Sequence, residues 1–396
     1  MSSDKVIILT GISRYNALKN HAERLSNEFK QLGLDAQVVD VSVEGATNLL
    51  LEELLKGVRF VCSYQGHGMD FELTNGELLF KQFPVIYVTL LTDHPLYQPS
   101  RFSQKIDNVV VMGDEGTFCL YLKEYFPHIN HFISKSVFFV EFNKNIKPYH
   151  ERNIDVYFPA TYDNPEDRLR EIDKLDNWLK AIVYGVINYL KDNTNWTIEK
   201  ALRHFLNDID FTLNNDDFIS LMSVLYHADK YIRSYFRDKC VRTLVDNGVT
   251  VSVCGEGWES FICSNPKNLI ILSYDDINND EDNIYNRSKF VLNVMPWFKT
   301  ATSTRAEQAI GNGAIFITDH SEWFDKNFTD EKDIVLYSLD EIDLLPKKIL
   351  NIINDTKKAN TIVDNSINKA KQICLEERTI ASHILEKIIE IEENSN

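Results

Sequence analysis

The stretch from residue 290 to residue 319 is the feature that most constrains the fold. It contains two apolar runs, residues 290–294 and 314–317, separated by a segment long enough for a helix. Short apolar runs bounded by turn residues are typical of buried strands. Two such runs around a helix predict a βαβ unit, in which the two strands are parallel and neighbouring.

The start of the predicted helix has the composition of an anion site. Residues 302–304 all carry hydroxyl groups of the kind that cap a helix, and Arg305 and Glu307 fall in the first turn. Free backbone N–H groups, hydroxyls and a guanidinium together favour a bound phosphate. We therefore predict a phosphate site at this helix N-terminus.

The same segment resembles the nucleotide-sugar-binding half of GT-B glycosyltransferases, particularly the group similar to the CgeB spore-coat protein. In that group an arginine is followed by an acidic residue and then by a glycine, ahead of a strand that ends in aspartate. Arg305, Gln308, Gly313 and Asp319 stand at these positions. Gln308 departs from the pattern, although its amide is able to hydrogen-bond a ribose hydroxyl.

The resemblance leaves the stereochemistry of the reaction open. Retaining members of the fold commonly carry two glutamates, and the corresponding positions here are Thr300 and Gln308. The missing carboxylates weaken a retaining assignment without establishing inversion. Glu307, next to Gln308, is an alternative carboxylate if the register shifts by one residue.

Length and pattern predict two domains. The 396 residues exceed one ordinary core, and strands alternate with helices in two halves. We expect an α/β protein with two Rossmann-like domains facing a cleft, as in the GT-B fold. The predicted domains are residues 1–150, on the acceptor side, and 151–375, which bind the nucleotide sugar and begin with a helical insertion at about 165–216. Residues 376–396 are predicted to form a helix that crosses back to the first domain.

Some boundaries inside the domains are also predicted from the pattern. Residues 136–140 are expected to form the last strand of the first sheet. Residues 218–247 are expected to form one helix, and residues 357–383 another.

Charge and cysteine usage exclude several classes of protein. A formal net charge of −17 argues against nucleic acid as a general partner, because phosphate binding needs basic surface. Six cysteines without CxxC spacing indicate reduced thiols, not disulfides or a zinc site. No window is apolar enough for a membrane span, and the N-terminal apolar run is too short for a signal peptide, so we expect a cytoplasmic protein. Self-association into a homo-oligomer is left open.

Two polar groups follow predicted strands of the first domain. His67 stands between Gly66 and Gly68, which suggests a flexible loop at the strand end where α/β sheets bind ligands. Asp93 follows the next strand. Each also has an ordinary explanation: His67 as a surface residue in a turn, and Asp93 as a helix cap. We predict His67, ahead of Asp93, as the catalytic base.

Donor binding is assigned to the second domain. The turn of Gly255, Glu256, Gly257 and Trp258 corresponds, by the resemblance, to a glycine turn that lies against the nucleotide. The remaining predicted donor-binding residues are Tyr274, Asn293, Ser303, Thr304, Arg305 and Gln308. Acidic residues at 275, 276 and 280–282 suggest a solvated run, so neither a metal nor a cofactor is predicted.

The resemblance implies a glycosyltransferase that needs no metal. It would move a sugar from a UDP- or GDP-linked donor to a hydroxyl or amide of a glycan, a protein or a small molecule. The alternative is a catalytically silent GT-B-like protein that binds a partner enzyme or a glycan. Arg305 disfavours this alternative, because a pure scaffold does not need a phosphate site.

Overall fold

The computed structural model describes residues 4–13, 16–273, 277 and 283–394. The chain divides into two compact units. Unit 1 comprises Met1–Val137, Asn214–Ser223 and Arg378–Asn396, and unit 2 comprises Phe138–Leu213 and Val224–Glu377.

The elements alternate between strand and helix along most of the chain. The strands are β1 Lys5–Thr10, β2 Asp35–Asp40, β3 Phe60–Tyr64, β4 Ile86–Leu91, β5 Val109–Gly113, β6 His131–Ser134, β7 Ile154–Pro159, β8 Val251–Cys254, β9 Leu269–Leu272, β10 Ser288–Leu292, β11 Ile315–Asp319 and β12 Val335–Tyr337. The helices are α1 Ala17–Gln31, α2 Ala46–Lys56, α3 Leu79–Gln82, α4 Pro99–Phe102, α5 Gly116–Tyr125, α6 Pro165–Ile172, α7 Asn177–Asp192, α8 Ile198–Asp208, α9 Asn215–Val224, α10 Tyr226–Asp246, α11 Ile284–Arg287, α12 Thr304–Gly311, α13 Glu322–Asn327, α14 Leu345–Ile353, α15 Thr356–Glu376 and α16 Ile380–Asn394.

Unit 1 is built on a parallel sheet that, in the described ranges, has six strands in the order β2-β1-β3-β4-β5-β6. Its central strands are apolar on both faces, as expected for a parallel sheet covered by helices. The winding direction reverses between β1 and β3, since β2 lies on one side of β1 and the later strands lie on the other.

The terminal helix α16 packs in the core of unit 1. Ala381, Ile384, Ile388 and Ile391 are buried with residues of α1 and the sheet. Each buried isoleucine contributes about 1.5–3 kcal/mol relative to an exposed one. At the far end of the helix, Arg59 forms a two-pronged ion pair with Glu392, with N···O distances of 2.9 and 2.7 Å.

The helical region after β7 contributes to both units. Helices α6, α7, α8 and α10 belong to unit 2, whereas most of α9 belongs to unit 1. The ring of Phe218, in α9, stacks on Tyr125 with centroids 4.6 Å apart. The predicted single helix over 218–247 is therefore wrong, because α9 ends at Val224 and α10 begins at Tyr226.

Two other predictions at element ends are corrected. Residues 136–140 do not form a strand, and the last strand of the first sheet is β6. Phe138 and Val140 are buried because they pack in the apolar core of unit 2, so the predicted boundary at residue 150 falls inside that unit. The predicted helix over 357–383 is divided, since α15 ends at Glu376.

Unit 2 has a second parallel sheet, with the described strands in the order β12-β11-β10-β7-β8-β9. Its first strand, β7, lies next to its fourth, β10, with Val156 opposite Phe290. The winding direction reverses at this pair of strands. This is the Rossmann strand order, and ligands of such sheets bind outside the carboxyl ends of the strands at the reversal.

The buried guanidinium of Arg152 joins three backbone segments around β10. Arg152 is 3% exposed and donates to the backbone oxygens of Lys147, Ser288 and Asn312 at 3.1, 2.7 and 2.9 Å. Carbonyl oxygens therefore satisfy this guanidinium in place of a carboxylate. Burial lowers its pKa to about 10, and the group stays protonated at neutral pH.

Two further observations concern the class of protein. All six cysteines lie in the described ranges and are free thiols. None of the described helices combines the length and apolarity that a membrane crossing requires.

Candidate donor site and candidate catalytic site

The candidate donor site begins with helix α12, which starts where the sequence predicts. The side-chain oxygen of Ser303 accepts from the backbone N–H of Arg305 at 3.2 Å, a standard N-cap. Ala306, Ala309 and Ile310 are buried, so one face of the helix packs on the sheet. The cap leaves other first-turn N–H groups pointing away from the helix end.

Arg305 lies at the carboxyl ends of β7 and β10, where the winding of the sheet reverses. Its Nη1 donates to Oδ1 of Asn293, the residue after β10, at 2.6 Å. Its guanidinium carbon lies 5.8 Å from the ring centre of Phe158 in β7. Arg305 therefore contacts both of the strands that flank the reversal.

The charge of Arg305 has no carboxylate bonded to it in the described part of the chain. Burial lowers the pKa of its guanidinium, an effect that Tyr285, Tyr157 and Asp319 partly oppose. Arginine nevertheless stays protonated at neutral pH. A half-buried cation with only an amide oxygen as partner has unused donors for an anion.

Asn293 holds Arg305 in place. Asn293 is 1% exposed and donates from Nδ2 to Oγ1 of Thr318 at 3.0 Å. Its backbone oxygen accepts from the hydroxyl of Tyr337 at 2.9 Å. Donor binding by Asn293 stays a prediction, and the bonds of this buried side chain orient Arg305.

Asp319 ends β11 and is also fully buried. Its Oδ1 accepts from the backbone N–H of Met295 at 2.9 Å. Burial raises the pKa of this carboxyl to about 6, with Lys299 and His320 acting in the opposite direction. The loop after β10 is therefore tied to the end of β11.

The glycines of the turn after β8 have a structural reason that does not involve a ligand. A Cβ at Gly255 would lie 2.6 Å from the backbone oxygen of Ala160, and one at Gly257 would lie 2.4 Å from that of Tyr162. Trp258 is 1% exposed and its indole N–H donates to Ala160 at 2.6 Å. The indole is therefore packed inside the protein, and donor binding at this turn stays a prediction.

The other predicted donor residues have different surroundings. Glu256, Thr304 and Gln308 are exposed. Tyr274 lies outside the described residues, as do the acidic residues at 275, 276 and 280–282. Among the described residues no group of three or more His, Cys, Asp or Glu side chains is placed to hold a metal ion.

Glu307 does not serve as the alternative carboxylate. It is buried, and its Oε1 accepts from the backbone N–H of Phe139 at 3.1 Å. The suggested one-residue register shift would break this bond and expose the apolar face of α12.

Other arginines of unit 2 lie outside the predicted set of donor-binding residues. Arg168, on α6, is bound by Asp163 at 2.6 Å and by Glu171 at 2.6 Å. Arg233 and Arg237, on α10, both lie against the ring of Trp297, at 4.0 and 5.1 Å from its centre. The sequence does not predict that α10 lies near the end of β10, because the two segments are far apart in the chain.

The candidate catalytic residue of unit 1 also lies at a reversal of the sheet. His67 follows β3, and its Cε1 would be 3.3 Å from a Cβ added at Gly11, which follows β1. Burial lowers the pKa of His67, Arg101 lowers it further, and Asp70 opposes the change. The imidazole is therefore mainly neutral at pH 7, which is the form that accepts a proton.

The loop around His67 makes a tight turn that two hydrogen bonds hold to neighbouring side chains. Gln65 and Gly66 have positive φ angles of 52° and 66°, and Gly68 has 95°. The backbone oxygen of Gln65 accepts from Arg101 at 3.0 Å, and that of His67 accepts from the hydroxyl of Tyr87. The glycines therefore allow a tight turn.

Asp93 follows β4, the strand next to β3, and is half-buried. The loops with His67 and Asp93 thus leave the same edge of the sheet. The next turn is capped by His94, whose Nδ1 accepts from the backbone N–H of Leu96 at 2.9 Å.

Comparisons with known proteins address the family and the fold. A family model described as glycosyl transferase-like matches residues 233–390, which run from α10 into α16 and include Arg305. The search of the curated proteins found no match.

Solved glycosyltransferases are similar over nearly the whole chain. A glycosyltransferase from Rickettsia africae has a TM-score of 0.54 and 10% identity over 99% of this chain and 98% of its own. HepE from Anabaena, in complex with UDP-glucose, has a TM-score of 0.51 and 11% identity over 98% of this chain and 99% of its own. Sucrose-phosphate synthase from Thermosynechococcus elongatus has a TM-score of 0.51 and 9% identity over 94% and 96%.

At these identities the likeness to solved structures concerns the fold, and the family match concerns the segment that carries Arg305. The chain therefore shares the GT-B fold of these solved glycosyltransferases, and its residues 233–390 match the glycosyl transferase-like family model.

Proposed function

We propose that the chain transfers a sugar from a UDP- or GDP-linked donor to a hydroxyl or amide of an acceptor, and that the donor binds without a metal ion. The observation that carries the proposal is Arg305, a half-buried cation at the sheet reversal with no bonded carboxylate among the described residues. Burying a cation without a counter-charge is unfavourable, and an anionic ligand would compensate for it.

The diphosphate is the part of the donor that fits this site. Transfer breaks the bond between the sugar's anomeric carbon and the diphosphate oxygen, whose electrons leave with the diphosphate. Arg305 and the α12 N-terminus supply donors for that negative charge. The similar fold of Anabaena HepE, solved in complex with UDP-glucose, supports a uridine donor over a guanosine donor.

The acceptor is proposed to be activated by His67. As the acceptor oxygen bonds to the anomeric carbon, its proton passes to the neutral imidazole, whose pKa is lowered by burial and by Arg101. Asp93 is the second candidate, since its loop leaves the same sheet edge. The acceptor is a glycan, a protein or a small molecule.

Calorimetric titration with UDP and GDP in the presence of EDTA tests the proposal. We expect binding of one of them without a divalent metal, followed by turnover when a panel of nucleotide sugars is supplied with acceptors. Binding that appears only after manganese is added would contradict metal independence. Donor binding without turnover on any acceptor would favour the catalytically silent alternative.

A further inference from the structure

Arg237 is a partly buried arginine whose guanidinium forms no ion pair with a described residue. Its Nε is inaccessible to solvent and has no hydrogen-bond partner, and no described residue forms an ion pair with it. Its guanidinium carbon lies 5.1 Å from the centre of the Trp297 ring. Buried polar groups without a partner are rare in proteins and call for an explanation.

The sequence of α10 explains why Arg237 is unpaired. Other arginines of this helix bind an aspartate four residues earlier: Arg233 with Asp229 at 2.7 Å and Arg242 with Asp238 at 2.6 Å. The residue four positions before Arg237 is Arg233, which is itself a cation. The residue four positions earlier therefore repels the charge of Arg237. The corresponding residues form ion pairs with Arg233 and Arg242.

A chain of contacts connects this face of α10 to the donor site. Cys240, one turn after Arg237, lies 3.5 Å from the hydroxyl of Tyr337. That hydroxyl donates to the backbone oxygen of Asn293, whose side chain accepts from Arg305. All of these contacts are within unit 2.

Electrostatics agree with this placement. Burial lowers the pKa of Arg237 to about 9, the positive charges of Arg305 and Arg233 contribute in the same direction, and the carboxylates of Asp163 and Asp229 oppose the change only in part. The two unpaired guanidiniums therefore lie close enough to repel each other. Such an arrangement destabilises the empty protein and is relieved when an anion binds between them.

We infer that Arg237 is a second cation of the donor site, and that Arg237 and Arg305 together bind the two phosphates of a nucleoside diphosphate. The inference rests on the proposed function, since it assigns a further residue to the same ligand. A diphosphate offers oxygens on both phosphorus atoms and so engages both guanidiniums, whereas a monophosphate engages one. The pair thus selects diphosphates over monophosphates.

Calorimetry with UDP, UMP and inorganic pyrophosphate in EDTA tests the inference. Arg237→Met should weaken the binding of UDP and of pyrophosphate about ten- to a hundredfold, as expected for the loss of one charge-assisted contact. The affinity for UMP should fall much less. Lys239→Met is the matched control, because it removes a positive charge from the same helix. Lys239 forms no hydrogen bond or ion pair with the described residues. The affinities for all three ligands should stay within about twofold of the parent's.

The stability of the empty protein gives a second readout. If Arg237 is held for a ligand, Arg237→Met should unfold at the same temperature as the parent or a higher one, because an uncompensated charge has been removed. A purely structural arginine would give a lower one. Arg237→Lys, which keeps the charge without the planar fork, should retain part of the affinity for UDP.

The outcomes separate the inference from the proposed function. If Arg305→Ala loses UDP binding and Arg237→Met does not, the inference is overturned and the proposed function stands. If pyrophosphate binds in an Arg237-dependent way and neither UDP nor GDP binds, the paired-cation site stands and the proposed function fails. If none of these anions binds the parent protein, both are overturned.

Discussion

Asn293 accepts from Arg305 at 2.6 Å, and this bond joins the end of β10 to the start of α12. It places a guanidinium over the sheet reversal without neutralising it, since an amide oxygen carries no charge. The same side chain is fixed from the other side by Thr318. The neutral partner leaves the positive charge available to a ligand.

Asn293→Asp should abolish most of the affinity for a diphosphate. The substitution has nearly the same shape but puts a carboxylate against Arg305, and the resulting ion pair competes with the ligand. We expect UDP affinity to fall about tenfold or more, with the fold retained. Asn293→Ala, which removes the bond without adding a charge, should weaken UDP less than Asn293→Asp in the same titration. If Asn293→Ala weakens UDP binding more than Asn293→Asp does, the orientation of Arg305 determines the affinity and the added negative charge does not.

Arg305→Ala should remove one charge-assisted contact with phosphate. The expected loss is about 1.5–3 kcal/mol, or about ten- to a hundredfold in donor affinity. The circular dichroism spectrum should be unchanged, because this guanidinium bonds only to one amide oxygen. Arg170→Ala, at an exposed arginine paired with Asp167, is the control and should bind like the parent. Equal affinities in the two variants would rule the contact out.

The sequence predicts the local parts of this site well and the distant ones poorly. The βαβ unit, the cap at Ser303 and the place of Arg305 follow from short-range pattern, and the structure confirms them. The role of the turn that contains Trp258 does not follow from local pattern, because a glycine turn near a ligand and a glycine turn packed on Ala160 have the same composition. The difference lies in a contact between residues far apart in the chain.

Arg237 shows the same limit from the other direction. Its helix is predicted from the sequence. The absence of an ion-pair partner among the described residues is seen only in the structure, where the guanidinium lies against Trp297. The sequence does contain one signal. A helical arginine whose neighbour four residues earlier is also an arginine lacks the usual ion pair, and that pattern deserves a test for anion binding.

Gly313→Ala should destabilise unit 2 more than an ordinary glycine substitution. Gly313 has φ 71°, and an added Cβ would lie 2.6 Å from Ile146 and 2.8 Å from a nitrogen of Arg152. Gly248→Ala is the matched control, because Gly248 has φ 88° and nothing within 4 Å of the new atom. The control should lose about 1–2 kcal/mol from backbone strain alone. Urea unfolding should show a clearly larger loss for Gly313→Ala, and equal losses would contradict the close packing.

Asp319 should make stability depend on pH between about 4 and 6. Burial raises its folded-state pKa from 3.8 to about 6, so the folded protein binds this proton more tightly than the unfolded chain. Its contribution is therefore fully present below the unfolded pKa and is lost as pH rises through the folded one. The change is on the order of 3 kcal/mol. The free energy of unfolding of Asp319→Asn, minus that of the parent, should increase from pH 4 to pH 7. A difference that is the same at every pH would refute the raised pKa of Asp319.

His67→Ala should reduce turnover by about a hundredfold or more while leaving UDP affinity nearly unchanged, because the proposed donor contacts belong to unit 2. Asp93→Asn, made separately, should reduce turnover less. Burial and Arg101 lower the pKa of His67 below 6.5, so the acidic limb of the parent's kcat/KM profile should have its midpoint below that value. His128→Ala is the control, at a histidine whose ring contacts the backbone oxygen of Phe102. If both His67→Ala and Asp93→Asn turn over like the parent, neither residue is the base.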